Sequence, residues 1–350
     1  MGIGRKRSEL FVNTIGLLIT LGIAFFLVII LIFFFSDEPG KTIYYFLIGP
    51  FKNRYYFGNM LNSAIPLIFT GLGIAVAFRS SMFNLGGEGQ VYAGGFAATV
   101  VCLALPFAGA LVGIFLALLS AIIVGGVIGG LSGFFKMKWD TDELISSFLF
   151  SAALILIINY FITGILNDPN SNLLTTPPIG NKYFFLNIFP PSRLDISIIF
   201  ALLTAILVFY FMSHSKLGYE MRMCGMNREF SRYGGISTAK YKVIPMFLSG
   251  GLHGLAGCIS ILGTYHMCLK GFSGGMGWNG IAVALIARNN PLAVIPAAIF
   301  FAYLEAGAKA AMLHSDITFE IAAVVQSTIF YLITAQALYN FVRYRKRAEV

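Results

Sequence analysis

Charged residues are scarce in this 350-residue chain, 11% of the total, where an ordinary soluble domain carries about 25%. With 57% hydrophobic residues, that shortage excludes a water-soluble globular protein. Acidic residues are the scarcer sign, 15 Asp and Glu against 24 Lys and Arg, for a formal net charge of +9. The basic residues are scattered between long apolar runs instead of forming one stripe. That is the pattern of loops facing anionic lipid, not of a nucleic-acid surface. Cysteine is limited to Cys102, Cys224, Cys258 and Cys268, with no CxxC spacing, which argues against a disulfide framework or a zinc site. The four histidines, His214, His253, His266 and His314, match no ligand spacing. No GxxxxGK[ST] loop occurs, so the chain cannot cradle ATP phosphates by that route. No nucleophile, metal cluster or acid pair is left to support an enzyme, and no cofactor is expected.

What the chain has in abundance is uncharged apolar sequence. Residues 10–35 follow Arg5, Lys6 and Arg7 and lead to Ser36, Asp37, Glu38 and Pro39. This run is too long for a signal peptide and lacks a small-residue cleavage site, so it reads as a retained first span. Further charge-free stretches are 55–78, 89–135, 144–166, 196–213, 243–269, 271–287, 289–304 and 321–342. At about 1.5 Å per residue the run 89–135 is twice a bilayer thickness, so it must turn back, with Pro106 beside Leu105 and Gly109 as the turn. The expectation is an all-α polytopic membrane protein, residues 1–350 forming a single transmembrane domain of about ten helices. An even count puts both termini on one side. The loops on that side hold seventeen basic residues against seven opposite, which places the termini in the cytoplasm.

Two places break the helical pattern. Residues 271–287 and 289–304 are short, rich in Gly and separated by Arg288-Asn289-Asn290-Pro291, and residues 79–90 carry Gly86, Gly87 and Gly89. Broken or re-entrant helices are tolerated at membrane depth only where protein or a water-filled cavity covers the freed backbone groups, so both point to a pathway. Gly275, Gly277 and Gly280 spell GxGxxG, but a dinucleotide fingerprint needs a strand and a βαβ unit that do not fit here. GxxxG pairs at Gly109/Gly113, Gly125/Gly129, Gly126/Gly130, Gly129/Gly133 and Gly250/Gly254 are read as internal helix packing in preference to a dimer face.

Polar residues inside apolar spans are costly and invite explanation. Asn84, Glu88 and Gln90 fall in the broken segment. They either cap helix ends there or line a gate and hydrogen-bond a polar solute. Asn159 and Asn279 are weaker pathway candidates, and Trp278 and Tyr265 either stack on a base or belong to the interfacial aromatic belt. Asn62, Gln326 and Gln336 also lie in or beside spans. Glu305 and Lys309, four apart, neutralise each other on one helix face.

The long cytoplasmic segment, 214–242, mixes basic residues with Met221, Met223, Met226, Phe230, Tyr233 and Ile236. It suits two short helices broken at Gly234-Gly235, either a solvated loop or, preferably, a docking surface. Here the sequence resembles the permeases of ABC importers of the ribose and branched-chain amino acid type, and within them the nucleoside uptake branch. The resemblance is carried by Lys216 to Arg222, then Gly225, Asn227, Glu229, Arg232, Tyr233, Gly235 and Ile236. It continues through Leu248 to Gly257, Gly271-Phe272-Ser273, Gly280 to Leu285 and Arg288 to Pro291. Upstream, Gly71 to Arg79 and Phe83-Asn84-Leu85-Gly86 with Glu88-Gly89-Gln90 resemble a second family signature. Departures are Asp142-Glu143 where the family has Asn-Glu, Phe230-Ser231 for Ala-Ala, and Trp278-Asn279-Gly280 for Phe-Asp-Gly. The last of these lies near the expected pathway and bears on the substrate.

The resemblance implies a half-transporter in the bacterial cytoplasmic membrane. Cytoplasmic ATPase subunits grip the segment carrying Arg222, Asn227, Glu229, Arg232, Tyr233, Gly235 and Ile236. A second, homologous permease chain completes the pore as a heterodimer, and an external binding protein delivers solute. Nucleosides are the expected cargo, because Asn84 to Gln90 resembles that branch most closely, with a sugar or branched-chain amino acid as the alternative. An ion-coupled secondary transporter would need a buried carboxylate or ion site, for which Glu88 is the one carboxylate near the expected pathway, and tandem repeats, which the sequence does not clearly show. A scaffold without transport would leave the broken helices without a reason.

Overall fold

The computed structural model describes residues 26, 29, 30, 32–318, 324, 327, 328 and 331. Most of the first and last expected spans, including Gln326 and Gln336, lie outside the described residues. The helices are α1 (Pro39–Ile48), α2 (Arg54–Arg79), α3 (Gly87–Ala104), α4 (Ala110–Trp139), α5 (Glu143–Thr163) and α6 (Ser197–His214). They continue with α7 (Lys216–Met226), α8 (Arg228–Tyr233), α9 (Lys240–Ser260), α10 (Met276–Ile286) and α11 (Pro291–His314). α9 runs on as a π-helical turn over Ile261–Tyr265. Among the described residues the only β-pairing is two isolated bridges, Thr175 with Leu269 and Asn187 with Asp195.

Among the described residues six helices are long and apolar enough to cross a membrane: α2, α4, α5, α6, α9 with its extension, and α11. The long apolar run turns at Leu105–Gly109, between α3 and α4, as its length required. Two expectations are corrected. Residues 271–287 form no single spanning helix: only the 11 residues of α10 are helical, about 16 Å of rise. The stretch 289–304 is not short either, because α11 continues to His314 through Glu305 and Lys309. Those two side chains pair at 2.6 Å, so the charges are carried within the helix instead of ending it.

The chain forms two compact units, Leu61–Ile299 and Met1–Met60 with Phe300–Val350. In the first, α3, α4 and α9 pack backbone to backbone. A Cβ on Gly254 would meet the Ala121 carbonyl of α4, one on Gly94 of α3 would meet Gly254, and one on Gly257 would meet the Val91 carbonyl. Gly125, Gly129 and Gly133 of α4 abut Gly250, Met246 and Lys242 of α9 in the same way. Apart from Gly109, whose Cβ position is open, the glycines of the GxxxG pairs are used for internal approach, which in lipid substitutes dispersion for the missing hydrophobic drive. α2 and α9 are central, with 78% and 72% of their apolar windows buried, against 28% for α5 and 22% for α6. In the second unit Tyr45 stacks on His314 with centroids 4.5 Å apart, and Ser36 donates to Asp316 at 2.6 Å.

Within Leu61–Ile299 two faces can be distinguished. On one, Gly225 of α7 abuts the Arg79 carbonyl at the end of α2, and Lys136 pairs with Glu143 at 3.3 Å. Lys242 reaches Asp140 at 3.2 Å, and with Lys136 it holds that carboxyl below its ordinary range. Asp142 caps α5 there by accepting from Leu144 N at 2.8 Å. Asp and Asn serve that position equally well, so the departure from the family's Asn-Glu is conservative. On the opposite face Tyr183 donates to the Leu105 carbonyl. Lys182 donates to the carbonyls of Pro106 and Ala108 at 2.6 and 2.7 Å, closing the α3–α4 turn.

Candidate translocation node and coupling face

The break between α2 and α3 is held by side chains that the sequence places there. Asn84 Nδ2 donates to Gln90 Oε1 at 2.8 Å and to Ser249 Oγ of α9 at 2.9 Å. Asn84 Oδ1 accepts from Gln90 Nε2 at 3.1 Å and from Gly86 N at 3.0 Å. Both amides are fully buried, and each satisfies the other. α5 contributes two hydroxyls one turn apart: Ser147 Oγ accepts from Leu85 N at 3.1 Å and Ser151 Oγ from Gly89 N at 2.7 Å. The Leu85, Gly86 and Gly89 amides of the broken helix thus find partners in protein side chains, as lipid exposure would not allow.

Glu88 joins this node to the second break. Its Oε1 accepts from Ser273 Oγ at 2.6 Å and Gly275 N at 2.9 Å, and its Oε2 accepts from Gly277 N at 2.9 Å. A buried carboxylate is affordable here because it takes three donors and sits at the N-terminus of α10, where the helix dipole favours negative charge. The GxGxxG spacing also has a reason: Gly275 adopts φ +84°, and Gly277 and Gly280 let α10 lie against Glu88 and Thr70. Before α10, residues 268–275 run antiparallel along α3. Gly271 N donates to Tyr92 Oη at 2.9 Å, and Phe272 stacks on Tyr92 at 5.2 Å.

The other sequence-picked residues are more dispersed. Asn159 Oδ1 accepts from Tyr92 Oη at 2.6 Å, which ties α5 to the same series of turns before α10. Trp278 is 37% exposed and lies 5.9 Å from Phe148. Asn279 is half-buried in the first turn of α10. Of the pathway candidates, Asn84, Glu88 and Gln90 come together, Asn159 reaches them through Tyr92 and Phe272, and Trp278 and Asn279 stand beside them. The sequence reading missed Ser147, Ser151, Ser249, Ser273 and His253. His253 Nδ1 bonds the Ser249 carbonyl at 2.7 Å, and its ring fills the space beside Gly73 and Gly87. The spacing Ser147/Ser151, four apart in an otherwise apolar helix, was the available signal.

The segment 214–242 folds as α7 and α8, but the break between them is Asn227, not Gly234-Gly235. Asn227 ends α7 and caps α8 by accepting from Phe230 N at 2.9 Å. The two glycines terminate α8, with Gly235 at φ +79°. The apolar residues sort into two sets. Met221 is buried and Ile236 packs against the Val76–Met212–Tyr241 cluster, while Met226, Phe230 and Tyr233 are 81%, 63% and 89% exposed. Glu229, Arg232 and Gly235 are exposed, and Arg222 is half-buried. α7 is anchored on three sides. Ser81 Oγ donates to the Gly225 carbonyl at 2.7 Å, Tyr241 donates to Glu220, and Gly218 abuts Met212 of α6.

The family described as branched-chain amino acid transport system, permease component, matches residues 56–334. A protein of Treponema pallidum described as a riboflavin import permease is 35% identical over 310 residues, 88% of this chain and 82% of the relative. The guanosine ABC transporter permease of Bacillus subtilis is 32% identical over 342 residues, 97% of both chains. The nucleoside ABC transporter permease NupB of Lactococcus lactis is 27% identical over 288 residues, 80% of this chain and 79% of the relative. The matched region contains the α2–α3 break, the Glu88 node and the α7–α8 face. With six helices of membrane-spanning length and composition among the described residues and a family match over most of its length, this chain is a multi-pass protein of the cytoplasmic membrane and belongs to the permease components of the branched-chain amino acid transport system family.

Proposed function

We propose that the chain is the membrane-spanning subunit of an ATP-driven importer of nucleosides. The observation that carries this reading is the continuous connection from α7 to the Glu88 node. α7 is fastened to Arg79 and Ser81, which lead directly into the Asn84–Gln90 break and, through Glu88, into α10. A push on Met226, Phe230 and Tyr233 would therefore shift the α2–α3 break and α10 together. The sequence has no P-loop, so the push comes from a separate ATPase subunit gripping Arg222, Asn227, Glu229, Arg232, Tyr233, Gly235 and Ile236. Two-state rocking of this kind is the usual way a local displacement becomes alternating access.

Ten crossings with cytoplasmic termini fit this arrangement, the turns of 268–275 and α10 together making one passage. The face bearing α7 and α8 also carries Arg79, Lys136, Lys138 and Lys242, while the opposite face has Lys182, Arg193 and Lys270, a bias that supports the α7 side as cytoplasmic. A second, non-identical permease chain completes the pathway, and an external binding protein delivers solute. Asn84, Glu88, Gln90, Asn159, Trp278 and Asn279 flank the route as the gate opens. The cargo assignment rests on the Asn84–Gln90 motif and on the guanosine and nucleoside relatives. The riboflavin relative supports a second reading, and its named cargo shares a nitrogen heterocycle carrying a hydroxylated five-carbon unit.

The test is ATP-dependent uptake of labelled guanosine by vesicles holding the assembled transporter, with riboflavin, ribose and leucine as competitors. Competition by unlabelled nucleosides is expected; stronger competition by ribose or leucine would overturn the cargo assignment. Uptake that survives ATP depletion and collapses with a protonophore would instead favour an ion-coupled carrier. In the same vesicles Glu229→Arg or Gly235→Leu should leave the protein inserted while ATP hydrolysis no longer drives uptake. Both residues are exposed at the α8 end, so Glu229→Arg costs little stability, while Gly235→Leu also strains a backbone held at φ +79° by about 1–2 kcal/mol. Unchanged uptake in both variants would remove them from the coupling role.

A further inference from the structure

Two cavities meet at the π-helical end of α9. The larger, about 570 Å³, is lined by the 164–196 connection, including Phe184, Asn187 and Arg193, and by Gly263–Met267. The smaller, about 60 Å³, lies among the helices, between Asn62, Ser63 and Pro66 of α2 and Ser197, Ser260 and Met276. Asp195, Thr264 and Tyr265 line both. The first volume lies in the range of small-molecule sites, roughly 300–1,000 Å³, and the second is far below it.

The shared wall is polar in a way packing does not require. Asp195 is 2% exposed and accepts from Ser197 N at 2.8 Å. Burial raises its carboxyl above the ordinary range. Ser197 Oγ is buried against that carboxylate and turned towards it. Asn62 donates to Thr264 Oγ1 at 3.0 Å, and Pro66 leaves the Asn62 carbonyl without its helical N–H. The π-turn Ile261–Tyr265 disturbs the ladder of α9 at the same level. The larger cavity has an aromatic side, where Phe184 and His266 stack with centroids 3.6 Å apart and planes at 19°. A buried carboxylate, a buried hydroxyl against it and interrupted helices in one place fit contact with a polar solute; a closed core would avoid all three.

Resting on the transport reading above, we propose that Asp195 is a solute checkpoint. The larger cavity receives the heterocycle against Phe184, His266 and Tyr265, with the vicinal hydroxyls of its sugar or ribityl chain donating to the Asp195 carboxylate. The solute advances when the smaller cavity widens between α2 and the end of α9. Asp195 is then a binding residue of the pathway itself, separate from the coupling face.

Asp195 also caps α6, so the test keeps the cap. Asp195→Asn retains an oxygen for Ser197 N, and Thr264→Val is a second variant that leaves the cap untouched. Both are assayed in the assembled transporter with its ATPase and binding protein. The expected result is a KM for guanosine raised roughly tenfold, about what one hydrogen bond to a charged group supplies, with binding-protein-stimulated ATP hydrolysis within about twofold of wild type. As an independent readout, Thr264→Cys should react with a membrane-impermeant maleimide and be protected by guanosine, but lose that protection when combined with Asp195→Asn. Background labelling is low because Cys102, Cys224, Cys258 and Cys268 are all buried. Wild-type uptake with an unchanged KM in both variants, or protection that survives Asp195→Asn, would overturn the checkpoint alone. A wild-type transporter that takes up neither guanosine nor riboflavin would overturn the transport reading and the checkpoint with it.

Discussion

Replacing Glu88 with alanine is expected to remove roughly 3–5 kcal/mol of stability, the range for breaking a buried charged hydrogen-bond set, and to abolish uptake. The alanine leaves Ser273 Oγ, Gly275 N and Gly277 N, now served by one carboxylate, without an acceptor in a buried site. Each orphaned donor costs about 1–3 kcal/mol, and the N-terminus of α10 loses its compensating charge. Glu88→Gln should be milder, losing about 1–3 kcal/mol, because one amide oxygen still accepts while the NH2 group faces a donor. The thermal midpoint of the purified transporter checks both variants, with uptake measured alongside. The two readings of Glu88 separate cleanly in this experiment. A midpoint unchanged in Glu88→Ala with uptake lost would make the residue a solute contact and not the cap of α10.

Gly254→Leu should be comparably severe. Gly254 lies where α9 is clamped between α3 and α4, and a Cβ there meets the Ala121 carbonyl and the Gly125 backbone, while Gly94 presses from the other side. Overpacking a relaxed core costs about 1–3 kcal/mol. Here the obstacles are backbone atoms of two helices, so the cost falls at or above the top of that range, and the helices must separate. A fall in the thermal midpoint with loss of detergent-stable protein is the expected outcome. Gly109→Ala is the matched control: it is also half of a GxxxG pair, but nothing lies within 4 Å of its Cβ position, so the midpoint should not move. Equal behaviour of the two variants would remove helix contact as the reason for the glycines.

The contrast between those glycines shows what spacing alone conveys. Gly109/Gly113 and Gly250/Gly254 are the same pattern, yet Gly109 is open whereas Gly254 touches two helices. Spacing states that close approach is possible; only the partner helix decides where it is used. The apolar residues of 214–242 behave in the same way. Their composition announces a surface helix pair, but Met221 is buried and Tyr233 is 89% exposed, a division set by the ends of α2 and α6 against which α7 lies. The misplaced break at Gly234-Gly235 has a similar cause. Two adjacent glycines are the stronger local signal for a turn, but Asn227 both ends one helix and caps the next.

The sequence by itself determined the class of molecule. Long uncharged runs can only be satisfied in lipid, and their lengths set which of them must turn back. The polar interruptions at Asn84, Glu88 and Gln90 were equally visible, because a polar side chain in hydrocarbon stands out against its neighbours. Tertiary structure alone decided what those interruptions do. Glu88 meets Ser273, Gly275 and Gly277, about 190 residues further along the chain. Asp195 reaches Thr264 and Asn62 around a cavity that no local pattern foretells. Hydropathy is a property of each segment, readable one window at a time, whereas satisfaction of a buried carboxylate depends on which distant backbone is brought against it.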